Sequence, residues 1–125
     1  MPTEPGDFEF PVGDDPHDAD VLTYWRGVAQ RMGRMLLPKD LAGWGGAILA
    51  RISEFEAARA ALTQLYIDAP KDAEALAAAR SRLRLAEMEF PRLKWKLNMH
   101  FVSQFGKDDP GLLALFARGA DGPDN

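Results

Sequence analysis

The chain has no cysteine, which excludes a disulfide framework and a thiolate metal site together. Its two histidines, His17 and His100, lie far apart without spaced partners, so no zinc site is expected. No apolar run approaches the ~20 residues needed to cross a membrane. Nor does the sequence open with a basic-then-apolar stretch of the signal-peptide kind. The expected setting is therefore cytoplasmic, away from membranes. Lys and Arg are missing from residues 1 to 20, which instead hold seven acids, Glu4, Asp7, Glu9, Asp14, Asp15, Asp18 and Asp20. The net charge of -4 thus hides a basic remainder, +3 from Val21 onward and +5 without Asp121 and Asp124. A basic body behind an acidic arm suits a polyanionic partner, or an arm folded onto its own body.

Catalytic groupings are missing as well. Catalysis needs a nucleophile beside a base, or carboxylates whose environments split their pKa values. Ser53, Ser81 and Ser103 lie in no recognisable elbow, and Glu87 and Glu89 point to different sides of a helix. No enzyme and no cofactor are expected. The run Asp14, Asp15, His17, Asp18, Asp20 offers oxygen ligands but lacks the glycine and distant glutamate of a calcium loop, and acids are favoured at a helix start anyway. Gly43, Gly45 and Gly46 fit no phosphate-binding fingerprint; Gly46 and Ala50, four apart, are expected to let a neighbouring helix approach closely.

What is present is helical patterning. With 125 residues and 46% hydrophobic content, one ordinary core is expected. Leu76, Ala79, Leu83, Ala86, Phe90, Leu93, Leu97, His100 and Gln104 recur in steps of three and four, the spacing of a helix seam. Pro91 removes a backbone donor inside it and predicts a kink or a split into two helices. Beyond the proline, Leu93, Trp95, Leu97, Met99 and Phe101 alternate with polar residues, the template of a half-buried strand. Helix is preferred, since a strand needs a pairing partner that the chain does not clearly offer.

The fold expected is all-α: an antiparallel long helical hairpin, an N-terminal helix, a short C-terminal helix and a disordered acidic arm. Helices are predicted at 19–37, 40–67, 72–90, 92–105 and 110–117. Asp18 or Asp20 caps the first, and Asp109 with Pro110 starts the last. The second carries Leu41, Trp44, Ile48, Ile52, Phe55, Leu62 and Tyr66 on one stripe, and the short link at 68–71 turns it back against the third. The arm takes residues 1–18, the helical domain 19–118 and a frayed tail 119–125. Phe8, Phe10 and Val12 alternate and either rest on the body or dock in a groove of this molecule or a neighbour.

Two residue sets stand out for binding. Arg80, Arg84, Arg92, Lys94 and Lys96 could meet phosphates, with Trp95 and Phe101 interleaved for stacking. Trp25, Trp44, Trp95 and Phe101 are candidate anchors for a protein partner. The phrases YWRGVAQRM (24–32), LLPKDLAGW (36–44), ARISEFEAARAAL (50–62) and SRLRLAEMEF (81–90) together resemble the helical type of bacteriophage small terminase subunit. The resemblance implies a ring-forming homo-oligomer that recognises viral DNA and passes it to a larger subunit carrying ATPase and nuclease. The chain departs from that family in its short hairpin link and in Pro91. The expectation is a non-enzymatic, oligomerising adaptor that binds or packages DNA; the alternative is an accessory subunit that binds a protein and no nucleic acid.

Overall fold

Asp18 sits in extended conformation and accepts a hydrogen bond from the Asp20 amide at 2.9 Å, so it caps the first helix, α1 (Ala19–Arg34). The computed structural model describes residues 8–118, and among them every regular element is helical. The tail 119–125 and the first seven residues of the arm lie outside the described residues. α1 stops three residues short of the predicted Leu37 because Met35 is extended, on the approach to Pro38, where helical backbone is disfavoured. Residues 38–44 then form successive turns, with Leu41 N–H bonded to the Pro38 carbonyl at 2.9 Å and Leu41 driven into the core. Helix α2 (Trp44–Asp68) therefore begins later than the predicted position 40. Asp40 caps nothing; its carboxylate accepts from Gln104 at 2.7 Å.

α2 and α3 (Ala73–Leu97) form the predicted antiparallel hairpin, and Asp72 caps α3 by accepting from the Ala75 amide at 3.0 Å. Pro91 does not split α3. It is exposed between buried Phe90 and Leu93, so packing on both sides holds the helix together where one backbone bond is lost. Residues 93–97 are helical and the strand alternative falls away. The expected seam holds as far as Leu97. A π-helical turn at Asn98–Val102 then fits one extra residue into the turn. The inward positions become Phe101 and Val102, leaving the expected His100 and Gln104 exposed. Helix α4 (Ser103–Phe105) ends at Gly106, whose φ of +85° only glycine adopts without strain. Helix α5 (Pro110–Leu115) starts as predicted, with Asp109 accepting from Leu112 N–H at 3.1 Å.

The core gathers Trp25, Phe55, Phe90, Phe101 and Phe116 with the aliphatic faces of α1, α2 and α3. Close approach of α1 and α2 comes from Gly45, not from the expected Gly46: a Cβ on Gly45 would meet the Ala29 carbonyl at 3.1 Å, whereas Gly46 faces open space. Tyr24 is buried and donates its hydroxyl to the Phe116 carbonyl at 2.7 Å. Burial pushes its phenol well above the ordinary tyrosine value, only partly offset by the Arg31 and Arg118 cations.

Residues 8–18, expected within the flexible arm, are instead fastened to the body. Phe10 packs 5.5 Å from Trp25 and 5.0 Å from Phe116, ring centre to ring centre. The Asn98 side-chain amide brackets Phe8, accepting from its N–H at 2.6 Å and donating to its carbonyl at 3.2 Å. Lys94 binds the Val12 carbonyl and pairs with Asp14 at 2.9 Å, and His17 meets Glu87. No helix among the described residues is long and apolar enough to cross a membrane.

Candidate interaction surface

One face of α3 is spent on the core, through Leu83, Ala86, Phe90, Leu93 and Leu97. Each of these is followed two residues later by Leu85, Met88, Arg92, Trp95 and Met99. Two residues turn an α-helix by about 200°, so this second set points directly away from the first. All five are exposed, Leu85 and Trp95 at 62% each. They recur in steps of three and four, the pattern by which one helix packs against another. α3 is thus apolar on two opposite faces, and nothing among the described residues covers the outer one.

The five cations expected to bind nucleic acid separate on this helix. Arg84, Arg92 and Lys96 border the outward stripe around Trp95. Arg92 makes a contact with Glu89 at 3.3 Å, while Arg84 and Lys96 make no ion pair among the described residues. Arg80 is turned toward the hairpin end, bonded to the Tyr66 hydroxyl at 2.6 and 3.1 Å and lying over its ring. Lys94 is committed to Val12 and Asp14. The structure therefore brings three of the five to one face.

The expected anchors divide too. Trp25 and Phe101 are completely buried and hold the core, so neither is open to a partner. Trp44 is half-buried against His100 and Phe101, with the Arg51 guanidinium over its ring at 5.8 Å. Only Trp95 of the four stands out from the surface. The companions that sequence reading missed are Leu85, Met88 and Met99; their spacing relative to the core seam was the available signal.

A shallow, open hollow of about 260 Å³ lies beside the start of α2, lined by Asp40, Gly43, Trp44, Ala47 and Arg51. Its charges brace the fold. Asp40 accepts from Gln104, and Arg51 donates to the Ala47 carbonyl at 3.1 Å and forms an ion pair with Glu89 at 3.4 Å in which its Nε–H completes no hydrogen bond. On the exposed flank of the hairpin, Arg82 grips Glu54 through two bonds of 2.8 and 3.0 Å, and that hydrogen bonding lowers the Glu54 carboxyl below its ordinary value. Among the described residues no three histidine, aspartate or glutamate side chains converge as a metal site would require. The acids that sequence reading weighed as ligands serve other ends: Asp18 caps α1, Asp15 accepts from the His17 amide and Asp14 meets Lys94. Comparison with family models, with curated proteins and with solved structures gives no match for this chain.

Proposed function

We propose that this protein is a non-enzymatic helical adaptor that assembles with copies of itself, using the outward face of α3 for docking. The observation that supports the reading is the uncovered apolar stripe Leu85, Met88, Trp95 and Met99, at helix-packing spacing on a helix whose other face is already core. Apolar surface of this kind gains about 25 cal/mol for each Å² removed from water, and exposed aromatics with neighbouring cations are the residue types that anchor interfaces. Sedimentation over a range of protein concentrations tests it. The wild-type chain should exceed the 13.8 kDa of one copy, and Trp95→Glu should return it to a monomer with an unchanged circular-dichroism spectrum. A wild-type monomer at every concentration would overturn the proposal.

A second reading, DNA binding as in the small terminase subunits that the sequence resembles, is favoured by Arg84, Arg92 and Lys96 around an exposed indole. In that reading a larger ATPase and nuclease subunit is the further partner. Titration of a labelled duplex at low salt distinguishes it: absence of binding there removes the DNA reading and leaves the adaptor reading standing.

A further inference from the structure

We propose that copies of this protein exchange their N-terminal segments, residues 8–14 of one copy seating in the groove on the body of the next. The inference rests on the self-assembly reading and adds to it a contact in which each copy completes its neighbour. The groove belongs wholly to the body. Its apolar floor is Trp25 of α1 and Phe116 after α5, against which Phe8 and Phe10 set their rings. Its polar grips are Asn98, Lys94 and Arg118, and what they hold is main chain: the N–H and carbonyl of Phe8, the carbonyl of Val12 and the carbonyl of Pro11. No backbone-to-backbone hydrogen bond reaches residues 8–14 among the described residues. The segment can therefore leave without breaking a helix, and the groove accepts an extended chain with apolar residues at alternate positions, whichever copy supplies it.

The hinge is the turn at residues 15–18. Asp18 N–H bonds the Asp15 carbonyl at 3.1 Å, the Asp15 carboxylate accepts from the His17 amide, and His17 meets Glu87 at 2.5 Å. The His17 contacts lie at the surface, where such pairs contribute little. They are the contacts that the move disturbs. Everything within the groove is regained, because the neighbour's groove is the same groove, Lys94 with its Asp14 partner included.

The position of the groove brings a neighbour within reach. Glu87, Lys94 and Asn98 follow one another at seven and four residues, so they share one flank of α3, between its core face and the outward stripe of Leu85, Met88, Trp95 and Met99. A copy docked on that stripe lies beside the segment. Straightened, Phe8 to Pro16 extends to at most about 30 Å, whereas the axes of packed helices lie about 8 to 10 Å apart. A short tether holds a segment near its own groove at an effective concentration of about millimolar, and docking holds the neighbour's segment near at the same order. Proximity then favours neither, and exchange passes from copy to copy, into a ring where the rotation closes and into a filament where it does not.

The absence of cysteine makes the test clean. Gly13→Cys puts a thiol on the segment at an exposed position where a side chain meets nothing within 4 Å, and Pro91→Cys puts one on the exposed flank of α3 between Glu87 and Lys94. The two full-length single variants, one carrying an affinity tag, are mixed and treated with a short bis-maleimide. A covalent heterodimer should appear on a denaturing gel. A synthetic peptide of residues 8–18, at about five times the tethered concentration, should lower its yield about fivefold, and Phe8→Ala with Phe10→Ala in the Gly13→Cys chain should abolish it. A heterodimer unchanged by the peptide would report mere proximity and overturn the exchange. An oligomer by sedimentation that gives no heterodimer would overturn it too, while sparing the self-assembly reading. A mixture that sediments as monomers would overturn both.

Discussion

Replacing Phe101 by alanine, alongside His100 by alanine, tests which of the two side chains fills the core at the end of the hairpin. An α-helical seam continued from Leu97 carries Phe101, four residues on, inside with Gln104 after it, whereas the π-helical turn brings Val102 in beside Phe101 and leaves Gln104 exposed. In the structure Phe101 is fully buried, with ring centres at 6.4 Å from Trp44, 6.4 Å from Phe105 and 5.8 Å from Phe116, while His100 is exposed and touches only the half-buried Trp44 ring among the aromatics. Phe→Ala at a packed site costs about 3 to 5 kcal/mol, and the three ring partners lost here argue against the lower end. A few tenths come back because alanine favours helix more than phenylalanine does. His100→Ala should change stability by no more than about 0.5 kcal/mol. The difference, about 3 kcal/mol, corresponds to a shift of about 2 M in the urea midpoint for a slope near 1.5 kcal/mol/M. Urea melts followed by circular dichroism would measure it. Equal losses, or a larger loss for His100→Ala, would refute the inward placement of Phe101.

The glycine pair gives a test by sign. Gly45→Ala should destabilise by about 1 kcal/mol or more because the new methyl meets the Ala29 carbonyl of a packed helix, and Gly46→Ala should stabilise by up to about 1 kcal/mol; thermal melts of both variants check this. Tyr24 predicts an alkaline limit. Its phenol is raised by burial above the ordinary value of 10.0, so the contribution is intact below about pH 10 and is lost at about 1.4 kcal/mol per pH unit above it. Tyr24→Phe should flatten that part of the pH profile of stability, and an unchanged profile would count against the buried hydroxyl. Glu54 predicts the acid side with the opposite sign. Its carboxyl is lowered by Arg82, so that pair's support is present above the ordinary carboxylate value and fades as pH falls through the lowered one, an effect that Glu54→Gln should remove from the acid melts. If the chain binds duplex DNA, changing Arg84, Arg92 and Lys96 together to alanine should reduce the slope of log affinity against log salt by about two to three units. Lys94→Ala should leave that slope unchanged, because Lys94 is occupied within the molecule.

Much of the fold was legible in local pattern. The caps at Asp18 and Asp109, the inward positions from Leu76 to Leu97 and the tight link between α2 and α3 all rest on interactions between near neighbours, which sequence spacing reports directly. The strand-like alternation from Leu93 to Phe101 has a specific origin. Leu93, Leu97 and Phe101 belong to the inner face, Trp95 and Met99 to the outer one, and two opposite faces of a helix interleave into a period of two. The same interleaving concealed the candidate surface, since Trp95 stood out as a candidate anchor but its apolar companions Leu85, Met88 and Met99 did not. Trp25 and Phe101 illustrate the converse: residue type does not separate a core aromatic from an anchor, and only packing does. Gly45 and Gly46 differ solely in which side of α2 meets α1, a tertiary choice that small residues all round the helix leave undetermined. Lys94 was grouped with Lys96 by proximity in sequence, although two residues along a helix face nearly opposite ways.

The bracket that Asn98 makes around Phe8 joins residues 90 positions apart, and Arg118 likewise donates to the Pro11 carbonyl at 2.9 Å across 107 positions. Synthesis releases the chain from its N-terminus, so Phe8, Phe10 and Val12 emerge long before their binding places exist. The hairpin, built from contacts between adjacent segments, can form while elongation continues. The clasp cannot. Its apolar residues must remain unsatisfied until the last helices follow, and the acids flanking them keep that waiting segment in water. Closure thus marks completion: a chain truncated before Asn98 would keep its hairpin pattern yet leave this segment open to proteases, which gives a quality check written into the order of the sequence.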